Sequence, residues 1–270
     1  MASFFMQKRE AVLGALMRAI LKRYEPGMLV VTGETSRNLA LAAIDAVMRG
    51  FRHVRIAESG IPQDIAMPLA ILGGRKRGEG FLFWLAVIWE GACAAFLETA
   101  YPELLMLECP AKRTDDAGKF LDIAKPQITL VTASTDERAY KAAPLVEALP
   151  SNGYGIVNGD SRGAKGLIRY TRAHVTSFGF EEGCDMHITE YAVRTSAPGG
   201  NKKLLGISFM LEYAGKKAAV AIDDAFGREV AYAAASAACV GIAFGLNLPR
   251  IADSLRYFRT PISALPREGI

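Results

Sequence analysis

A short glycine turn near the start of the chain carries residues that could bind phosphate. The apolar run Met28–Val31 predicts a buried strand, and the apolar spacing from Leu39 to Met48 predicts a helix after it. A strand, a glycine turn and a helix start form the context in which a P-loop holds nucleotide phosphates. The candidate phosphate-binding residues are Thr32, Gly33, Thr35, Ser36, Arg37 and Asn38.

Three of these residues depart from a working P-loop, which needs glycine, lysine and a Ser or Thr in succession. Ser36 in place of the last glycine costs about 1–2 kcal/mol if that residue is left-handed. Arg37 keeps the positive charge, but its planar fork does not fit the place of a compact ammonium. The Asn38 amide oxygen is a poorer magnesium ligand than a hydroxyl. Weak nucleotide binding and a purely structural strand-to-helix turn both stay open, and the second is favoured.

Composition narrows the class of protein. The 270 residues are 51% hydrophobic, which suits one large domain or two small ones with a sizeable core. A net charge of +4 does not indicate a nucleic-acid partner. The four cysteines are widely spaced without a CxxC pair, so we expect neither a zinc site nor disulfides, and we predict a cytoplasmic location.

Two apolar segments resemble membrane signals. Residues 4–23 alternate apolar and basic residues, which predicts an amphipathic helix. Docking on the protein's own core or on a partner is favoured for it over peripheral contact with a membrane. The run from Phe81 to Leu97 has about the minimum length of a span, but Glu90 and Gly91 lie in its middle. A buried helix is therefore favoured there.

The order of elements predicts an α/β fold with a mostly parallel sheet flanked by helices and a small antiparallel subsheet. Helical patterns separate most of the apolar runs. The alanine-rich stretch from Phe226 to Phe244 predicts a tightly packed buried helix, and Ile251–Phe258 a short final one. The predicted parallel strands are Met28–Val31, Leu104–Leu107, Ile128–Thr132, Gly155–Val157 and Val175–Phe178. The predicted antiparallel strands are Asp185–Arg194, Leu204–Tyr213 and Ala218–Ile222, with a turn at Pro198–Asn201 between the first two.

Several motifs, taken in order, resemble the central ATPase domain of the Mur ligases, the ATP-dependent amide ligases of peptidoglycan synthesis. The resemblance covers roughly residues 20–265 and is strongest to the type that adds D-alanyl-D-alanine to a UDP-muramoyl tripeptide. The motifs are Tyr24-Glu25-Pro26 before the loop, Tyr101–Glu108, Leu121–Ile128 with Val131-Thr132, Ala148-Leu149-Pro150, Ile156–Asp160 and Phe178-Gly179-Phe180.

The resemblance implies ATP and magnesium as cofactors, a UDP-muramoyl peptide as substrate, and a role for particular residues. Glu108 stands where the family has a magnesium-binding glutamate, with Asn38 as a weak second ligand. Arg138 replaces a metal-binding histidine. Asn158 and Asp160 match two residues of the adenine site. The helix start that contacts the base in the family reads Gly227–Ala233 here, without its histidine and asparagines.

Two further parts of the chain differ from the family. The modified lysine of the family corresponds to Ala142 here, next to Lys141. The family's Gly-Asp loop corresponds to Asp115 and Asp116, where a helix start is favoured. Residues 1–24 are expected to form a separate helix and residues 25–270 a central domain without the carboxyl-terminal ligase domain.

We therefore predict a catalytically impaired pseudo-ligase or partner-binding scaffold. The alternatives are a divergent D-alanyl-D-alanine-adding or other amino-acid ligase whose missing domain comes from another chain, and a membrane-surface scaffold that uses residues 4–23.

Overall fold

The structure is a computed structural model that describes residues 2–58, 61–73, 80–97, 99–196 and 203–260, without the side chains of residues 2–8 and 81. The strands are β1 (Gly27–Thr32), β2 (Val54–Ile56), β3 (Leu104–Glu108), β4 (Ile128–Val131), β5 (Tyr154–Asn158), β6 (His174–Gly179), β7 (Met186–Thr195), β8 (Leu204–Tyr213) and β9 (Lys216–Asp223). The helices are α1 (Ala2–Tyr24), α2 (Arg37–Met48), α3 (Gln63–Leu72), α4 (Phe81–Phe96), α5 (Asp116–Leu121), α6 (Asp136–Glu147), α7 (Arg162–Gly166), α8 (Arg228–Ala243) and α9 (Leu248–Leu255), with a 3-10 turn at Leu167–Tyr170.

One sheet joins these strands in the order β2-β3-β1-β4-β5-β6-β7-β8-β9. The pairs from β2 to β7 are parallel, and β1 lies between β3 and β4. Leu29, Val30 and Val31 of β1 are fully buried, as expected for a strand covered by helices on both faces. The predicted α/β fold with its parallel strands is confirmed, whereas the short strand β2 was not predicted.

The last three strands form the predicted antiparallel part. β8 pairs antiparallel with both β7 and β9. β7 also pairs in parallel with β6, through Phe178 opposite Met186 and Gly179 opposite His187. The antiparallel strands therefore extend the same sheet. The predicted turn at Pro198–Asn201 lies outside the described residues.

Helices α2 and α8 cover one face of the sheet and pack closely on each other. Small side chains make this approach possible: a Cβ on Gly241 of α8 would lie 3.1 Å from Val47 of α2 and 2.9 Å from Ile251 of α9. The predicted alanine-rich helix is confirmed. The final helix begins at Leu248, earlier than predicted, because the Asn247 side chain caps it by accepting from the Arg250 amide at 3.0 Å.

Helices α1, α3 and α4 pack into the core on the opposite face. Leu13, Met17 and Ile20 of α1 are buried there, so the interpretation of α1 as an amphipathic helix docked on its own core is confirmed. The prediction of a buried helix at 81–97 is wrong for one side of α4, because Trp89 and Phe96 are exposed. None of the helices in the described residues is both long and apolar enough to cross a membrane.

Candidate functional site

The candidate residues meet at the carboxyl ends of the parallel strands, which is where open α/β sheets place their ligand sites. β1 leads into the loop 33–36, and Glu108 ends β3 beside it. Thr132 directly follows β4, and Asn158 ends β5. The strand order β3-β1-β4-β5 therefore brings together side chains that lie far apart in the sequence.

Arg37 folds back over the loop and is held there. Its guanidinium Nη1 donates to the carbonyl oxygen of Gly33, and to that of Glu34 at 3.2 Å. Its Nε lies 3.4 Å from Glu108 Oε2, and the two side chains are only 18% and 16% exposed. A phosphate-binding loop turns backbone N–H groups toward an anion. Here two loop carbonyls face the chain's own cation.

Ser36 adopts the left-handed conformation that the missing glycine would favour, with φ 59° and ψ 16°. Its hydroxyl donates to a carboxylate oxygen of Glu229, in the first turn of α8. A negative charge therefore stands at the start of α2. Glu229 was not among the predicted site residues, because only the packing of α8 against α2 brings it to the loop.

The loop backbone is also fixed from the side of β4. Thr132 Oγ1 donates to the carbonyl oxygens of Thr35 at 2.7 Å and Thr32 at 3.2 Å. Gly33, with φ 121°, lies so close that a Cβ there would come within 2.2 Å of Thr132 Oγ1. These contacts require glycine at position 33 and leave the loop little freedom to rearrange.

Glu34 ties the loop to the start of α6. Its carboxylate accepts from the Thr135 amide at 2.8 Å and from the Thr135 hydroxyl. These hydrogen bonds lower the pKa of Glu34, and the nearby positive charge of Arg138 lowers it further. Arg138, predicted at the place of a metal histidine, thus lies in the electrostatic environment of the loop.

Asn38 uses its amide oxygen within α2, where it accepts from the Leu39 amide at 2.9 Å. Its role as a metal ligand stays a prediction, as does that of Glu108. In the part of the chain that the structure describes, no group of three or more His, Cys, Asp or Glu side chains is arranged to hold a metal ion.

Asp160, predicted in the adenine site, has its carboxylate surrounded by donors. It accepts from the amides of Phe180 at 2.7 Å and Glu181 at 2.9 Å, and from the Tyr232 hydroxyl at 2.7 Å. Burial alone would raise the pKa of Asp160, but these hydrogen bonds lower it below its usual value. Asn158 closes the turn by accepting from the Asp160 amide at 2.9 Å. Tyr232 lies in the stretch Gly227–Ala233, but it was not itself among the predicted site residues.

The remaining candidates make local contacts. Asp115 precedes α5 without a capping hydrogen bond from its side chain, while Asp116 accepts from the Arg113 amide at 2.9 Å. Lys141 pairs with Glu137 at 2.7 Å along α6, and Ala142 is buried.

Little space remains between the loop and α8. The cavity bounded by Ser36, Thr132, Asn158, Glu229 and Tyr232 measures about 10 Å³. A single water needs about 10–15 Å³. A larger groove of about 290 Å³ lies elsewhere, beside α4. We assign the candidate site to the loop despite its small cavity, because the side chains with relevant chemistry gather there.

Solved structures share this fold. The chain matches a MurF structure from Acinetobacter baumannii with a TM-score of 0.71 and 14% identity, over 94% of this chain and 50% of that one. A Thermotoga maritima MurF ligase in complex with ADP matches with a TM-score of 0.69 and 17% identity, over 93% of this chain and 53% of that one. A pseudomurein peptide ligase type C from Methanothermus fervidus matches with a TM-score of 0.55 and 10% identity, over 87% of this chain and 50% of that one.

The comparison of sequences gives no such match. Neither a protein-family model nor a curated protein sequence matches the chain. The chain spans about half the length of the MurF structures that it resembles. The predicted resemblance is confirmed at the level of the fold: this chain has the fold of the Mur ligase central domain.

Proposed function

We propose that this chain is a Mur-ligase-like protein that does not act as an unaided ATP-dependent ligase and works instead by binding a partner. The observation that carries the proposal is the position of the Arg37 guanidinium. It is held by the carbonyl oxygens of Gly33 and Glu34 and by the Glu108 carboxylate. These contacts use the cation and the loop surface that a nucleotide phosphate would need.

Electrostatics at the loop support the same conclusion. Glu108 offsets the charge of Arg37, and the Glu229 carboxylate contacts Ser36 at the entry to α2. Two unit charges of the same sign about 4 Å apart repel by about 4 kcal/mol at an effective dielectric constant of about 20. A triphosphate at this loop would meet that repulsion, and the Arg37 cation is already paired with Glu108.

The changed chemistry would also slow any ligation. Loss of one preorganised charge-stabilising group typically adds about 2.7–4 kcal/mol to a barrier. In this chain the P-loop lysine, its hydroxyl neighbour, the metal histidine and the adenine-contacting helix start are all replaced, at Arg37, Asn38, Arg138 and Gly227–Ala233. The effects of several such replacements on the barrier are not additive. A single replacement of this size would already reduce the rate of ligation greatly.

A reducing compartment suits the chain. The four cysteines are all free thiols, and Cys109 and Cys239 are buried. Free thiols are the ordinary state of cysteine in the cytoplasm, and we propose that location.

One observation favours a second candidate function. Arg37 and Glu108 contact each other beside the loop, as they would in a divergent ligase where bound Mg·ATP separates the ion pair. Such an enzyme would add D-alanyl-D-alanine or another amino acid to a UDP-muramoyl peptide.

Calorimetric titration with Mg·ATP, combined with a phosphate-release assay, separates the two candidates. The pseudo-ligase proposal expects neither micromolar binding nor hydrolysis. Micromolar, magnesium-dependent binding accompanied by hydrolysis would overturn it in favour of the divergent ligase.

A further inference from the structure

The outer side of α4 carries large apolar side chains that are mostly exposed to solvent. Leu82, Leu85, Trp89 and Phe96 are 79%, 51%, 71% and 77% exposed. They are spaced by three, four and seven residues, so they lie along one side of the helix. We call these four residues the apolar ridge. Contiguous exposed apolar surface of this kind marks an interaction site.

The opposite side of α4 is packed, which fixes the direction of the ridge. Val87, Gly91 and Ala94 are buried in the core. A Cβ on Gly91 would lie 2.8 Å from Leu72 of α3, so the two helices are in close contact. The helix cannot turn its ridge inward without giving up this packing.

Helix α1 runs beside α4 and supplies positive charge. Arg9 stacks over the Trp84 ring at 4.6 Å near one end, and Arg23 donates to the Ala95 carbonyl at 2.7 Å near the other. Arg18 and Lys22 lie exposed on α1 between these two contacts.

The charge around the ridge is mixed but mostly basic. Glu10 of α1 and Glu90 of α4 are exposed acidic residues in this region. Among the described residues of α1 and α4, the cations Arg9, Arg18, Lys22 and Arg23 outnumber these two carboxylates.

We propose that this face docks on an anionic lipid surface, with α4 lying in the plane of the interface. Interfacial helices bury Trp, Phe and Leu at the headgroup boundary while neighbouring Lys and Arg attract anionic lipids. α1 and α4 divide these two tasks, because the apolar side chains Leu13, Met17 and Ile20 of α1 are already buried in the core. The predicted membrane contact through residues 4–23 is thus replaced by one in which α4 inserts and α1 contributes charge.

The same charges argue against a second copy as the occupant. A twofold contact through the ridge places the same surface on both sides, which would bring the cations of two α1 helices toward each other. Lipid docking does not depend on the loop between β1 and α2, so this proposal can be tested independently of the proposed pseudo-ligase function.

Vesicle co-sedimentation of the full chain tests the proposal. We expect binding to vesicles of equal phosphatidylcholine and phosphatidylglycerol, little binding to pure phosphatidylcholine, and loss of binding when salt rises from about 0.1 M to about 1 M. The double variant Trp89→Ser with Phe96→Ser should bind the anionic vesicles at least roughly tenfold more weakly, because two large apolar anchors are lost.

Matched variants keep the test specific. Tyr140 and Tyr257 are exposed aromatic residues away from α4, so Tyr140→Ser with Tyr257→Ser should leave binding unchanged. Arg18→Glu with Lys22→Glu should weaken binding to anionic vesicles. Lys125→Glu with Lys203→Glu, at exposed positions elsewhere, should weaken it less.

Fluorescence locates the contact. The chain has two tryptophans, Trp84 and Trp89, so Trp84→Phe leaves Trp89 as the only one. Its emission should shift to shorter wavelength when anionic vesicles are added. Absent vesicle binding, or binding that Trp89→Ser with Phe96→Ser leaves unchanged, would overturn the proposal. A concentration-dependent dimer that this variant abolishes, without vesicle binding, would make a second copy the occupant.

Discussion

Replacing Arg37 with alanine should destabilise the protein far more than a similar change at a surface arginine. Arg37 begins α2 and binds the Gly33 and Glu34 carbonyls as well as Glu108. Removing it leaves a mostly buried carboxylate and two loop carbonyls without this donor. The effect on the free energy of unfolding can be worked out from these contacts.

At 3.4 Å and an effective dielectric constant of about 20, the Coulomb attraction between Arg37 and Glu108 is about 5 kcal/mol. Desolvation of both groups offsets much of it, so we expect a net coupling of about 1–2 kcal/mol, between that of exposed and buried pairs. Hydrogen bonds from a charged donor to the loop carbonyls add about 1.5–3 kcal/mol. The total expected loss for Arg37→Ala is about 2.5–5 kcal/mol.

Urea unfolding of four proteins measures this loss and its origin. They are the wild type, Arg37→Ala, Glu108→Gln and the double variant, which form a double-mutant cycle. Arg49→Ala is the control, because Arg49 lies at the end of the same helix with a 77% exposed side chain paired to Asp45. The free energy of unfolding of Arg49→Ala should be less than about 1 kcal/mol below that of the wild type.

A loss for Arg37→Ala no larger than that for Arg49→Ala would show that the guanidinium is not held over the loop. A coupling near zero, with a large loss for Arg37→Ala, would assign the effect to the loop carbonyls alone.

Two further substitutions test the turn that holds Asp160. Asp160→Asn should cost about 1.5–3 kcal/mol at pH 7, measured by urea unfolding. Because the pKa of Asp160 is lower in the folded state, its contribution is full above the unfolded pKa of about 3.9 and is lost as pH falls through the lower folded pKa. The difference from wild type should therefore shrink below about pH 4, and a constant difference would contradict this. Gly179→Ala places a Cβ 2.2 Å from the Asp160 carboxylate and should lower stability by about 1–3 kcal/mol. A Cβ at Gly166 meets nothing within 4 Å, so Gly166→Ala should not lower stability in this way. Equal losses for the two variants would show that a Cβ at position 179 does not crowd Asp160.

Local sequence patterns predicted most of the sheet for a physical reason. Strands such as Leu104–Glu108 and Ile128–Val131 are buried on both faces, so they are written as continuous apolar runs. The alanine content of α8 likewise reflects its close contact with α2. Val54–Ile56 was missed because three half-buried residues leave no such pattern.

The site was predicted less completely, because its contacts are tertiary. The positions of Gly33 and Arg37 followed from a strand and a turn, and that of Glu108 from the resemblance to the Mur ligases. That Glu229 meets Ser36 follows only from the packing of two helices that start 191 residues apart, at Arg37 and Arg228. Side-chain hydrogen bonds such as those of Thr132 leave no periodic signal either.

Helix α4 shows the limit of hydropathy alone. A helix that is apolar on all sides is normally buried, which favoured burial for residues 81–97. Helices α1 and α3 cover one side of it, and the apolar ridge remains exposed. Sequence patterns record that a residue is apolar without recording whether the fold has enough surface to cover it.

The chain's own side chains occupy the loop between β1 and α2, where a P-loop would hold phosphate. The most direct test measures the Kd for Mg·ATP of the wild type and of a variant with Ser36→Gly, Arg37→Lys, Asn38→Thr and Glu229→Gln. We expect a wild-type Kd weaker than about 1 mM and binding at least about tenfold tighter in the variant, because the loop regains its glycine and lysine and loses a carboxylate. Micromolar, magnesium-dependent binding of ATP by the wild type, without tighter binding by the variant, would show that these side chains do not block the loop.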